Sequence, residues 1–165
     1  MDSLAQSLAA LWGGKMSAEL IAFIISLFPV LELRGGLVAA TFLGVDWWKA
    51  FIYCFIGNML PIPFILIFIR KIFEIMKKWE PLKKVVNKLE NKADKHSEKI
   101  EKYRLWGLFL LVAIPLPGTG AWTGALVAAL MDIRIKKALP VIAAGVIVAG
   151  IIVATLSYGV AGFIK

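Results

Sequence analysis

Phe28-Pro29-Val30-Leu31-Glu32-Leu33-Arg34-Gly35-Gly36 interrupts the apolar run 18–44, and Pro115-Leu116-Pro117-Gly118-Thr119-Gly120-Ala121-Trp122-Thr123-Gly124 interrupts the run 105–131. Proline lacks the N–H that a helix interior needs and clashes with the carbonyl four residues back, and glycine is a poor helix former. A proline, two opposite charges and two adjacent glycines in the middle of the first run therefore predict a break. The Pro-x-Pro-Gly-x-Gly pattern predicts the same for the second. Each run reads as two short limbs joined by an unwound tip, with the later limb of the second run starting near Trp122.

The solvent around these tips follows from composition. Hydrophobic residues make up 60% of the 165-residue chain and the mean hydropathy is +0.81, well above a soluble domain. Four apolar stretches, 18–44, 50–69, 105–131 and 138–164, approach the ~20 residues that cross a bilayer. The expected fold is an all-α integral membrane protein in one domain. The stretch 50–69 carries Asn58, Pro61 and Pro63 and should kink. Gly145, Gly150 and the Gly159–Gly162 end of the last stretch predict close helix packing. Residues 1–16 lack a basic start and a small-residue cleavage pattern, so they read as a retained interfacial helix with Leu4, Leu8, Leu11 and Trp12 on one side. The lone Cys54 sits in an apolar run and reads as packing.

The halves share a frame. Pro29 precedes Asp46 by seventeen residues, as Pro115 precedes Asp132 by seventeen, and each aspartate is followed by basic residues and a clean span. This is the pattern of an inverted repeat of re-entrant hairpin plus transmembrane helix. Repeat 1 covers about 18–69 and repeat 2 about 105–164, with a helical insert at 70–104. Twelve of the nineteen Lys and Arg fall in that insert, which marks it as cytoplasmic. If both broken segments re-enter, Arg134, Lys136 and Lys137 join the insert and leave Lys15, Lys49 and Lys165 outside; if both cross, Arg134, Lys136 and Lys137 land outside. Charge asymmetry favours re-entry. Within the insert, positions 72, 75, 79, 82, 86, 89, 93, 96, 100 and 103 form a heptad seam interrupted at Pro81, suited to a cytoplasmic helical excursion that packs on a copy of itself in a homodimer, on its own return limb or on the membrane surface. A net charge of +8 without an accompanying motif gives no reading as a nucleic-acid binder.

The chemistry-bearing residues gather at the tips. A charge in the hydrocarbon region costs about 3 kcal/mol on insertion scales and usually faces a partner or a cavity, which singles out Glu32 and Arg34. They could neutralise each other. Alternatively Arg34 receives an anionic group through its planar fork while Glu32 couples to protons or holds the arginine. Gly35 and Gly36 complete the first tip. At the second, beside Pro115 and Pro117, Gly118 and Gly120 allow close backbone approach, Thr119 and Thr123 add hydroxyls, and unpaired N–H groups near Trp122 favour an anion. Arg104 and Asn58 are secondary candidates. His96 has no Cys or acidic cluster beside it, so no metal is expected, and no cofactor. The absence of a Ser-His-Asp set, a His-Glu-x-x-His motif or a Walker loop argues against an enzyme.

At these two tips the chain resembles the small multidrug export protein family, a short relative of the DedA (VTT-domain) membrane proteins. The resemblance implies two opposed re-entrant hairpins, proton-linked transport in the prokaryotic plasma (inner) membrane and, for some members of the wider superfamily, movement of a phosphorylated polyprenyl carrier lipid. It makes Glu32 and Arg34 the acid and arginine of the first hairpin. The DedA branch commonly adds an arginine at the second hairpin; the nearest here are Arg104 and Arg134. The expected function is a transporter or flippase of an anionic amphiphile such as a polyprenyl-phosphate lipid, working among membrane lipids. The alternatives are an exporter of small lipophilic cations, with Glu32 as counter-ion and Trp122 as aromatic face, and a non-transporting membrane assembly factor acting through the seam.

Overall fold

Ser17 opens the first helix, its hydroxyl oxygen accepting the Leu20 N–H at 3.3 Å, and α1 runs over Ala18–Leu27. It stops where it must: Phe28 precedes Pro29 and adopts φ −77°, ψ 137°, the extended conformation that a following proline imposes. After the turn 28–31 the chain is helical again as α2, Glu32–Phe42. The structure, a computed structural model, describes residues 16–77, 98–116 and 118–164. Among these the remaining helices are α3 (Trp47–Met59), α4 (Ile62–Lys77), α5 (Glu98–Ala113), α6 (Ala121–Leu130) and α7 (Ile135–Ile164). The expected N-terminal interfacial helix, the seam positions 79–96 and Pro117 lie outside the described residues.

The first break is shorter than its composition suggests. Gly35 and Gly36 do not unwind the chain; both lie inside α2, and Gly36 is spent on packing. A methyl group there would overlap Ser26 Oγ and come within 2.8 Å of both the Ala22 carbonyl of α1 and Cys54 Sγ of α3. Three helices cross at this point, so Gly36→Ala is expected to cost about 1–3 kcal/mol as an overpacking change, read as a lower unfolding temperature of the purified protein in detergent.

Two helices are long and apolar enough to cross a membrane, Trp47–Ile69 and Ile135–Val160. The first is α3 and the start of α4, interrupted at Leu60–Pro61, where the predicted kink falls; the Leu60 N–H still reaches Ile56 O at 3.0 Å and the Ile65 N–H reaches Pro61 O at 3.0 Å. The helix runs on to Lys77, and α5 begins at Glu98, so both flanks of the predicted insert are continuous with the helices beside them. By contrast α1 and α6 have 10 residues each and α2 has 11. At 1.5 Å per residue these reach about 15 Å, half of a ~30 Å hydrocarbon core.

The packing partners pair off. α1 packs on α2 and α3, and α2 also meets α7; α5 packs on α6 and α7, and α6 also meets α4. Glycines set the close approaches in matching places: a methyl on Gly57 of α3 would meet the Phe23 carbonyl of α1 at 2.5 Å, and one on Gly145 of α7 would meet the Phe109 carbonyl of α5 at 3.2 Å. The turns after α2 and α6 also match. Val45 N–H bonds Ala40 O at 3.0 Å around left-handed Gly44, and Ile133 N–H bonds Ala128 O at 2.9 Å around left-handed Asp132, the Schellman geometry. This corrects the aspartate frame. Asp46 precedes α3 and lies 3.1 Å from Lys49 Nζ, whereas Asp132 matches Gly44, because the longer connection between α5 and α6 displaces everything after it.

A buried core of small and branched residues, among them Ala22, Leu37, Ala40, Ala125, Ala128 and Ile142, runs through the centre. Outside it, large apolar side chains stay exposed, including Ile52, Ile56, Phe64 and Phe68 on the first long helix and Ile151, Ile152 and Leu156 on α7. Such a surface suits lipid and is a liability in water. Exposed Trp47 and Trp48 stand at the start of α3, as aromatic side chains do at membrane interfaces, and exposed Tyr103 and Trp106 lie midway along α5. Arg104 Nη1 donates to Met131 O at 3.5 Å, so the middle of α5 lies beside the end of α6.

Candidate functional site

Glu32 begins α2 at φ +49°, a left-handed conformation that costs an L-residue about 1 kcal/mol. Strain of this kind persists where surroundings over-determine it, and here they do. The side chain is only 5% exposed, and its carboxylate accepts the Ala121 N–H on Oε2 and the Trp122 N–H on Oε1, both at 3.0 Å. These are the first two N–H groups of α6. A helix start leaves its first N–H groups without intrahelical partners, and α6 has glycine at its cap position with no capping side chain. The acid from the other half of the molecule supplies the cap, and its charge matches the helix dipole.

Gly120 makes room for it. Its φ of +146° is open to glycine, and a Cβ would overlap the Glu32 carboxylate.

Arg34 does the converse at the neighbouring helix end. Nη1 donates to Leu116 O at 2.6 Å, and Nη2 donates to Ile114 O at 3.2 Å, Val112 O at 3.4 Å and Thr119 Oγ1 at 3.3 Å. These carbonyls belong to the last turn of α5 and the residues just after it, where a cation is favoured. Residues two apart on a helix point to different sides. Glu32 therefore reaches the start of α6 while Arg34 reaches the end of α5, and both charges of the first tip are spent on the second.

The hydroxyls are likewise engaged. Thr119 Oγ1 lies 2.9 Å from Leu116 O and 3.0 Å from Ile114 O, and Thr123 Oγ1 donates to Gly118 O at 3.0 Å. The expectation that the N–H groups near Trp122 stand open to a bound anion is thus corrected: Glu32 occupies them.

A pocket of about 560 Å³ opens where the tips meet. Of the residues singled out in the sequence, Glu32, Arg34, Gly35, Pro115, Gly118 and Thr119 line it. Gly36 and Gly120 serve the packing described above. Trp122 packs against the core, its indole N–H buried without a hydrogen-bond partner. Asn58 is 1% exposed in α3 and its Oδ1 also lacks a partner. Arg104 lies midway along α5, bonded to Met131 O, and does not line this pocket.

Sequence reading missed the wall: Ile25, Val30, Leu31, Val38 and Phe42. The signal was available, because Arg34, Val38 and Phe42 recur every four residues along one face of α2. An apolar stripe thus leads away from the guanidinium.

The family model described as "Putative small multi-drug export protein" matches residues 32–152, from Glu32 through both tips and into α7. The chain belongs to that family. No curated protein and no solved structure matches it. With two membrane-length helices, this member of the small multi-drug export family is a membrane protein whose matched region contains the Glu32 and Arg34 contacts between the tips.

Glu32→Gln tests the latch. Glutamine keeps one acceptor oxygen and turns an amide N–H₂ toward an N–H donor, so one of the two charge-assisted bonds is lost, worth about 1.5–3 kcal/mol. Amide hydrogen exchange at Ala121 and Trp122 should accelerate while amides within α3 keep their protection; unchanged exchange at the two would mean that the carboxylate does not hold the helix start.

Proposed function

We propose that the pocket between the tips is the substrate site of a transporter for anionic amphiphiles, with a phosphorylated polyprenyl lipid as the class of substrate it suits. The observation that carries this reading is the unequal state of the two charges. Glu32 is covered and bound to a helix start, whereas Arg34 is part-exposed in the pocket and held by neutral oxygens. Hydrogen bonds from arginine to an oxyanion are roughly twice as strong as neutral ones and can be bidentate. A phosphate arriving at the pocket therefore offers Arg34 better partners than the carbonyls of the second tip, and the stripe Val38–Phe42 receives the apolar chain. A lipophilic cation would instead need Glu32 to leave the start of α6.

The broken segments are read as re-entrant hairpins of an inverted repeat. Support comes from the half-length helices, from the paired packing partners, from Phe23 and Phe109 meeting Gly57 and Gly145 in like fashion, and from the bond between Arg104 and Met131, which joins the two ends of the second segment. In such repeats the site lies at the repeat interface and one repeat rocks against the other. In this reading Glu32 is the coupling group: proton uptake ends its charge-assisted hold on α6 and lets the tips part. The basic residues 70–104 face the cytoplasm of a prokaryotic cell.

The test is purified protein in liposomes, with a fluorescent alkyl or polyprenyl phosphate in one set and a lipophilic cation in another. Movement of the phosphate between leaflets, without accumulation of the cation, is expected. Cation movement with a stationary phosphate would overturn the assignment in favour of drug-cation export.

A further inference from the structure

A second groove, of about 380 Å³, runs between α5 and α7, lined by Leu105, Trp106, Phe109, Pro140, Val141 and Ala144. It shares no lining residue with the pocket at the tips. Its floor is low because Pro140 and Ala144 are short, and its wall is high because Trp106, about half exposed, stands edge-on to Phe109 with ring centroids 5.9 Å apart. Deeper in, α5 and α7 close up where Gly145 admits Val112 and the Phe109 carbonyl. The groove is therefore an apolar slot that is closed toward the tips.

At its other end the chemistry changes. Arg104 directly precedes Leu105, Lys136 lies one helical turn before Pro140, and Lys137 one turn before Val141, so the two lysines continue the face of α7 that lines the groove. Arg134 and Lys136 are exposed, and Arg104 is half-buried with Nη1 at 3.5 Å from Met131 O. Arg104, Arg134, Lys136 and Lys137 stand there, with Asp132 on the adjoining turn. Pro140 lies inside α7 and has no N–H, so the Lys136 carbonyl cannot receive its helical bond and presents an acceptor at the same rim. Long basic side chains at the end of a membrane helix reach naturally to headgroup level.

We infer that this groove is a site for one anionic phospholipid, its acyl chain lying along Trp106, Phe109 and Ala144 and its phosphate held by Lys136, Lys137 and Arg104. A headgroup that also carries a hydroxyl donor, as glycerol does, satisfies the Lys136 carbonyl. The site is separate from the transported amphiphile and does not rest on the transport reading. Seated between α5 and α7, the lipid braces the second tip's first limb against the last helix.

The full chain is reconstituted in phosphatidylcholine membranes containing brominated phosphatidylglycerol or, at the same mole fraction, brominated phosphatidylcholine. The quenching that disappears in Trp106→Phe reports the groove. That component should be quenched more efficiently by the glycerol lipid, by about fivefold or more in apparent affinity, as expected for basic residues near an anionic headgroup. The preference should vanish in Lys136→Gln/Lys137→Gln, which changes only charge, and the whole component should fall in Ala144→Phe, which fills the slot. Equal quenching by the two lipids would overturn the inference and leave ordinary lipid contact. A Trp106 shielded from both would overturn it in favour of a second copy of the chain.

Discussion

Gly120→Ala should cost the protein about 3 kcal/mol and abolish the proposed transport activity, because two independent penalties fall on one atom. The backbone at Gly120, φ +146° and ψ −162°, lies in a region that is essentially glycine's alone and costs other residues about 1–3 kcal/mol. The added Cβ then occupies the space of the Glu32 carboxylate. Glu32 must withdraw, which leaves a desolvated charge and two N–H groups at the start of α6 without partners. Gly118→Ala is the comparison that isolates the second penalty. Gly118 has φ +82° and nothing within 4 Å of a Cβ, so alanine there pays for backbone conformation only, about 1 kcal/mol. Unfolding temperature in detergent and lipid movement in liposomes read both variants. Equal losses at the two glycines would show that the Glu32 seat contributes nothing.

The breaks at the tips were legible because proline acts locally: Pro29 fixes the conformation of Phe28, and Pro61 interrupts the first long helix, whatever surrounds them. Glycine carries no such fixed meaning. Gly35 and Gly36 read as breakers, yet in α2 they are helical, and the need for Gly36 comes from Ala22, Ser26 and Cys54 on two other helices. The charges were legible as exceptional and not in their partners. Nothing local to Glu32 says that its carboxylate will cap a helix 89 positions later, because that contact exists only once the two halves meet. The aspartate frame failed for a related reason. Equal spacing from Pro29 to Asp46 and from Pro115 to Asp132 ignores the extra residues of the second tip, and only the hydrogen bonds around Gly44 and Asp132 set the register. The pocket wall was within reach, since the four-residue stripe of Arg34, Val38 and Phe42 is a helical signal.

Arg34 is the position where structural and transport roles can be separated, because lysine and alanine remove different things. Arg34→Ala deletes donors to three carbonyls and a hydroxyl at the end of α5. Hydrogen bonds to charged groups are worth about 1.5–3 kcal/mol, so a loss of about 2 kcal/mol in stability and near-complete loss of anionic-amphiphile movement are expected together. Arg34→Lys keeps the cation at the helix end, where the dipole contribution of about 0.3–1 kcal/mol survives, but a point-like ammonium cannot make the paired, planar contact with a phosphate. Stability should then fall by about 1 kcal/mol or less while movement of the phosphorylated amphiphile drops about tenfold, the factor that 1.4 kcal/mol represents. The two variants are compared by unfolding temperature and by initial rate across a range of amphiphile concentrations. If lysine lowers stability as far as alanine does yet leaves the rate intact, Arg34 is a clamp between the tips and not the group that meets the substrate. The reverse pattern, a stable lysine variant with a depressed rate, makes the exchange of carbonyl partners for an oxyanion the step on which transport turns.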